Sequence, residues 1–163
     1  MGNSLKKEST EYTSFAEVYD TFMDDIPYDE WCDDICNLLR DYGITNGYLA
    51  ELGCGTGTLT RRFRDKGFQM IGIDLSEDML RLAQSQDTHN IIYQLQDMRE
   101  FELTHPVSAI LCLCDSMNYL LEEEDLLATF LKVQENLVDG GIFLFDMKTL
   151  YMYQELMGIQ SFI

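Results

Sequence analysis

Three glycines at alternate positions, Gly53, Gly55 and Gly57, follow the short apolar run Tyr48 to Leu52, and Glu51 stands just before the first of them. Such a turn removes every second Cβ where the chain leaves a strand, so a ligand can touch backbone there. Asp74 comes about 20 positions after Gly53, at the end of a second apolar run, Phe68 to Ile73. A carboxylate at that offset accepts hydrogen bonds from both hydroxyls of a ribose, which points to a nucleoside-containing ligand. Asp97 follows a third apolar run, Ile91 to Leu95. A polar group, Asp115, Ser116, Asn118 and Tyr119, follows a fourth, Val107 to Leu113. The strand ends thus converge on one crevice, as ligand sites of open α/β sheets require.

The elements that must position these residues are legible from periodicity. From Thr58, Leu59 and Phe63 stand four apart among Arg61, Arg62, Arg64 and Lys66, the stripe of a surface helix that Gly67 stops. Strand, glycine turn, helix and strand form a βαβ unit. Ser76 is an N-cap for a helix carrying Met79, Leu80, Leu82 and Ala83. Val107 to Leu113, the most hydrophobic run, reads as a central strand buried on both faces. Leu126, Leu127, Phe130, Leu131, Leu137 and Val138 are expected as the buried stripe of a long helix, ended by Gly140 and Gly141 before a fifth strand, Ile142 to Phe145. Ahead of the core, Phe15, Val18, Tyr19, Phe22 and Ile26 recur at helical spacing up to Pro27. A second helix has the stripe Tyr28, Trp31, Ile35, Leu38, Leu39 and Tyr42, with Gly43 as its stop. The expectation is a Rossmann-like doubly wound α/β sheet, mostly parallel, with about five strands. A polar leader spans residues 1–11, lid helices lie near residues 14–42, and the core runs from about residue 47 to 157.

The glycine pattern narrows the ligand. The dinucleotide fingerprint is G-x-G-x-x-G, whereas here the third glycine comes one place early, and no P-loop lysine follows it. Glu51-Leu-Gly-Cys-Gly-Thr-Gly57 and Ile73-Asp-Leu-Ser-Glu-Asp-Met79 resemble the first two motifs of class I S-adenosylmethionine-dependent methyltransferases, in their small-molecule branch. The resemblance implies that Glu51 lies near the cationic amino-acid end of S-adenosylmethionine. It implies that Gly53, Cys54, Gly55 and Gly57 cradle the cofactor and that Asp74, Leu75 and Met79 meet its nucleoside. Asp97 and Met98 carry over the adenine contact, with capping of its own loop as the alternative for Asp97. An N-terminal segment like Phe15-Ala-Glu-Val-Tyr-Asp20, followed by Tyr28-Asp-Glu-Trp31, folds over the cofactor in related enzymes. Tyr19 and Trp31 then touch it through a hydroxyl and an aromatic face, or else pack the lid. Cys114-Asp-Ser-Met-Asn-Tyr119 resembles the fourth motif, between sulfonium and acceptor. It places Cys114 beside the cofactor and Asp115, Ser116, Asn118 and Tyr119 on the substrate side, unless they form only a polar turn. The Pro-Pro form found in DNA N-methyltransferases is missing.

Composition limits the partners. The chain has 163 residues, 46% of them hydrophobic, enough for one domain with a sizeable core. Lysine and arginine number 11 against 29 acids, a formal charge of −18. That field repels nucleic acid and anionic membranes and suits a small or cationic substrate. No apolar run approaches the ~18 residues of a membrane span, and Met1 to Glu11 does not read as a signal peptide, so a cytoplasmic location is expected. The five cysteines, among them Cys32, Cys36, Cys112 and Cys114, lie in apolar surroundings without C-x-x-C spacing and read as small hydrophobes, with no metal site. His89 and His105 fall in loops and are assigned no role.

The reaction implied is direct displacement of a methyl group onto N, O or C of a small-molecule acceptor, with Asp115 or Tyr119 available to take a proton. One alternative is a domain that binds cofactor or partner without turnover; another is a nicotinamide-dependent oxidoreductase. The family usually continues past strand five into a helix and an antiparallel strand pair. The chain is therefore expected to be a truncated form whose strand five leaves an apolar edge open to pairing with a second copy.

Overall fold

A computed structural model of the chain describes residues 27–149 and 151–152. The expected first lid helix, with Tyr19, and most of the segment after Tyr151 lie outside those residues. Helix α1 spans Tyr28–Asp41, followed by β1 (Tyr48–Leu52), α2 (Thr58–Asp65), β2 (Gln69–Asp74), α3 (Glu77–Ser85) and β3 (Ile91–Leu95). Then come β4 (Val107–Cys112), a 3-10 turn (Ser116–Tyr119), α4 (Glu123–Asn136) and β5 (Leu137–Phe145). The five strands form one sheet in the order β3-β2-β1-β4-β5, parallel at every pairing. The order reverses between β1 and β4, so their carboxyl ends open a crevice between them.

Side-chain alternation divides the core. Leu49, Met70, Ala109 and Leu111 face one side, where Leu59, Phe63 and the buried face of α1 cover them. Ala50, Leu52, Ile71, Ile73, Ile110 and Cys112 face the other, against Phe101, Met117 and Val133 of α4. Each central strand is apolar on both faces, as a parallel sheet with helices on both sides demands. Glu51 shares the face of Leu49, which directs its carboxyl toward α2.

Two expected stripes shift. In α1, Trp31, Leu38 and Tyr42 are exposed, while Cys32, Cys36 and Leu39 are buried. Counting the thiols as apolar gives a continuous stripe of Tyr28, Cys32, Ile35, Cys36 and Leu39, and the bulkier rings stay on the outer side. All five cysteines are free. In α4 the helix stops at Asn136 rather than continuing to the glycine pair, and Leu137 already belongs to β5. The buried positions are Thr129, Val133 and Asn136, whereas Leu127, Phe130, Leu131 and Val138 are exposed. The cause is Asn136 itself. Its Nδ2 donates to Lys132 O at 2.8 Å, and its Oδ1 accepts from Leu103 N at 2.9 Å, tying the helix end to the loop after β3. A register shift in β5 then absorbs the residues up to Gly141, with Leu137 opposite Val107 and Ile142 opposite Ala109.

Replacing Asn136 by Ala strands the Leu103 N–H without its acceptor. Urea unfolding should show a loss of about 1–3 kcal/mol. A loss near zero would mean that the helix end is set by backbone pairing alone.

Candidate functional site

The turn after β1 carries the site. Gly53, Gly55 and Gly57 all have φ in the left-handed region, at 68°, 53° and 77°. A Cβ at Gly57 would meet the Tyr93 hydroxyl at 2.2 Å, so Tyr93 of β3 holds that position to glycine. At Gly55 a Cβ would meet nothing within 4 Å, and this part of the turn faces open space. The turn is pinned from β2. Asp74 Oδ2 accepts from Gly55 N at 2.7 Å, and Oδ1 accepts from Ser76 N at 2.8 Å, which fixes the plane of the carboxylate at the crevice. Ser76 caps α3 by accepting from Met79 N at 3.3 Å. Beside it Leu75 is 68% exposed, an apolar surface with little protein against it.

Glu51 is 3% exposed and accepts a hydrogen bond from the Thr60 hydroxyl on α2. Burial pushes its carboxyl up to about 7, against the opposing effect of the Thr60 bond, and the nearby Asp74 charge adds to the rise. It lines a narrow cleft together with Tyr28, Gly53, Gly55, Thr58 and Cys114. The residue of α1 at this cleft is therefore Tyr28, while Trp31 is not among its walls. A larger cavity of about 350 Å³, lined by Asp33, Arg40, Ile44, Lys66 and Phe68, lies where the chain enters β1 and β2, at the opposite end of the strands. Ligands of open sheets bind at the carboxyl ends, so the narrow cleft is the candidate.

After β3, Asp97 turns back on its own loop. Its oxygens accept from Arg99 N at 2.9 Å, Arg99 Nε at 2.9 Å and Arg99 Nη2 at 2.6 Å, and the guanidinium holds the carboxyl below its usual range. Arg99 continues to Asp125 on α4 at 3.2 Å. Met98 packs on the core, and its Cε lies 3.8 Å from where a Gly53 Cβ would stand.

The exit of β4 is the most constrained backbone in the site. Cys114 and Asp115 are consecutive non-glycine residues at φ 58° and 63°, an arrangement that costs on the order of 1–3 kcal/mol per residue and persists only under surrounding constraint. Asp115 N donates to Asp146 Oδ2 at 2.8 Å, and the Asp115 carboxylate pairs with Lys148 Nζ at 2.5 Å. Ser116 is buried, donating to Leu113 O at 2.8 Å, and lies against Gly53. Asn118 is taken up by backbone: its Nδ2 donates to Lys148 O at 3.2 Å, and its Oδ1 accepts from Lys148 N at 2.9 Å. Tyr119 is 84% exposed. Of the four residues expected on the acceptor side, Asp115 alone therefore presents a partly exposed acidic group. Sequence reasoning passed over Asp146, Lys148 and Thr60, and it gave the cofactor contact of the Tyr28–Trp31 segment to Trp31 rather than Tyr28. Asp146 had a usable signal, an acid at the carboxyl end of a strand, as Asp74 is for β2.

The methyltransferase domain family matches residues 49–141. The Bacillus subtilis protein YqeM, named provisionally as a methyltransferase, is 38% identical over 154 residues, covering 93% of this chain and 61% of YqeM. A dTDP-3-amino-3,4,6-trideoxy-α-D-glucopyranose N,N-dimethyltransferase of Streptomyces venezuelae is 33% identical over 129 residues, 78% of this chain and 54% of that enzyme. The crystal structure of an S-adenosylmethionine-dependent methyltransferase of Clostridium acetobutylicum superimposes with a TM-score of 0.77 at 30% identity, covering 89% of this chain and 61% of that one. The chain thus spans about three fifths of the length of such relatives. A matched family over most of the sheet, the five-stranded parallel order and the glycine turn pinned by Asp74 agree, and the chain belongs to the class I S-adenosylmethionine-dependent methyltransferases.

Proposed function

We propose that the whole protein transfers a methyl group from S-adenosylmethionine to N, O or C of a small-molecule acceptor. The observation that carries the reading is the open face of Gly55 beside a carboxylate whose plane is fixed by two backbone N–H groups. The residues present fit the cofactor. Asp74 keeps lone pairs for ribose hydroxyls, exposed Leu75 and the half-buried Met79 and Met98 offer an apolar bed for adenine, and Glu51 supplies a buried carboxyl for a cationic arm. When bound, the cofactor supplies a methyl group already activated on sulfonium. The chain supplies alignment and exclusion of water, effects worth about 7–11 kcal/mol in well-oriented reactions. In this reading Asp115, partly exposed and paired with Lys148, or the exposed Tyr119 accepts a proton from a protonated nucleophile. Relatives named for amino-sugar N,N-dimethylation support a small acceptor. The net charge of −18 supports one that is not a nucleic acid or a membrane surface. A cytoplasmic location is part of this reading, and no helix among the described residues is long and apolar enough to cross a membrane. β5, which pairs only with β4 among the described residues, is the edge along which a second copy would pair.

Calorimetric titration with S-adenosylmethionine should give saturable one-site binding, weakened at least about tenfold in Asp74→Ala, the loss expected for charge-assisted hydrogen bonds. Binding without methyl transfer to any member of an amine and hydroxyl panel would reassign the chain to cofactor binding alone.

Glu51 predicts a pH dependence. Its carboxyl stays protonated in the free protein up to about pH 7, and a bound cation favours the ionised form. Affinity should therefore rise about tenfold between pH 6 and 8, with proton release, and flatten in Glu51→Gln. Because this pKa is raised on folding, its stabilising contribution is full below the ordinary value of 4.5 and fades as pH rises through about 7. The free protein should thus lose stability across that window, and Glu51→Gln should not.

Sedimentation velocity over a concentration series tests the β5 edge. A dimer is expected; a monomer throughout removes the edge-pairing reading.

A further inference from the structure

We propose that Asp146 is a positioning residue of the acceptor side: delivered by β5, its carboxylate holds the left-handed Cys114–Asp115 turn and thereby sets where the Asp115 carboxyl stands. The inference rests on the methyl-transfer reading for its functional meaning, but its geometry is independent of the acceptor.

The placement follows from strand register. Cys112 pairs with Phe145 at the last rung of β4 and β5, so Asp146 leaves the sheet directly beside the β4 exit, and its own N–H donates to Cys112 O at 3.3 Å. From there Oδ2 accepts from Asp115 N at 2.8 Å. Two successive residues with side chains hold positive φ at this point, and neither is glycine. A backbone so disfavoured needs an external constraint, and the Asp146 acceptor is the one that reaches its N–H. The constraint is doubled two residues on, where Asn118 grips the backbone of Lys148 from both sides while Lys148 Nζ pairs with Asp115. The segment after β5 and the loop after β4 therefore behave as one wall. That wall meets the cofactor cleft through Cys114, which lines it together with the glycine turn. Partial burial pushes the Asp146 carboxyl up and the neighbouring Asp115 carboxyl adds to the rise, with the backbone N–H groups of Asp115 and Cys114 opposing. What Asp146 contributes is an acceptor of fixed direction, so an amide oxygen at the same place should serve.

The test compares Asp146→Asn and Asp146→Ala in the full chain. Three readouts are taken: hydrogen exchange at the Asp115 amide, the 13C shift of the methyl group of bound [methyl-13C]S-adenosylmethionine, and the affinity for S-adenosylhomocysteine. In Asp146→Ala the Asp115 amide should exchange about tenfold faster or more. The bound methyl resonance should move, and S-adenosylhomocysteine affinity should stay within about threefold, since the glycine turn and Asp74 are untouched. Asp146→Asn should restore all three to the parent values. Should Asp146→Ala not fold, Asp146→Ser, whose hydroxyl is too short to reach, takes its place. Parental protection and methyl shift in a folded Ala or Ser variant would overturn the inference. So would an Asn variant that behaves like Ala. If the parent chain binds no S-adenosylmethionine, the proposed function falls, and exchange at Asp115 alone decides whether Asp146 holds the turn.

Discussion

The hydrogen bond from Gly55 N to the Asp74 carboxylate is the contact on which the rest of the site depends. It joins the exits of β1 and β2, the two strands whose ends must stay in register if a nucleoside is to lie across them. A turn of three left-handed glycines has little stiffness of its own, because glycine loses more conformational freedom on folding than any other residue. The fixed carboxylate replaces that missing stiffness. Tyr93 acts from the next strand, filling the space that a Cβ at Gly57 would need. The turn is thus shaped from outside, and what remains open is the face at Gly55.

An acid stands in or just beyond every strand: Glu51 in β1, Asp74 at the end of β2, and Asp97, Asp115 and Asp146 past β3, β4 and β5. Their environments separate them. Glu51 is enclosed and pushed toward neutrality. Asp74 is tied by backbone N–H groups, Asp97 by Arg99, and Asp115 by Lys148. Asp146 is half-buried and engaged by backbone donors of the turn it faces, the Asp115 N–H at 2.8 Å first among them. Crowding carboxylates at one end of a sheet is costly unless each is paired, hydrogen-bonded or protonated. Hydrogen bonding holds Asp74, ion pairing holds Asp97 and Asp115, and burial pushes Glu51 toward the neutral form.

Much of this was legible in the residues. The apolar runs, the alternate glycines and the acid at the end of the second run specify β1, the turn and β2, because period-two burial and positive φ leave few other residue choices. Helix faces were less legible. In α1 the cysteines read as small hydrophobes but the larger rings define the expected stripe, whereas packing puts Cys32 inside and leaves Trp31 on the outer side. In α4 the run of leucines pointed past Asn136, and only the long-range bond from Leu103 N shows why the helix ends there. At the β4 exit the polar residues were read as one acceptor-facing group, whereas packing uses Ser116 and Asn118 to secure backbone and leaves Asp115 partly exposed.

By itself, then, the sequence determined the fold class, the family and the frame of strand, glycine turn and strand-end acid, since these follow from local patterns: strand, turn and helix signals, and an acid at a set distance from a glycine turn. Tertiary structure alone decided which polar groups are consumed by the protein and which remain for a ligand. The physical reason is distance along the chain. Gly55 with Asp74, Asp115 with Asp146 and Asn118 with Lys148 are brought together by sheet register, and no local pattern records which partner a buried hydrogen-bonding group will meet.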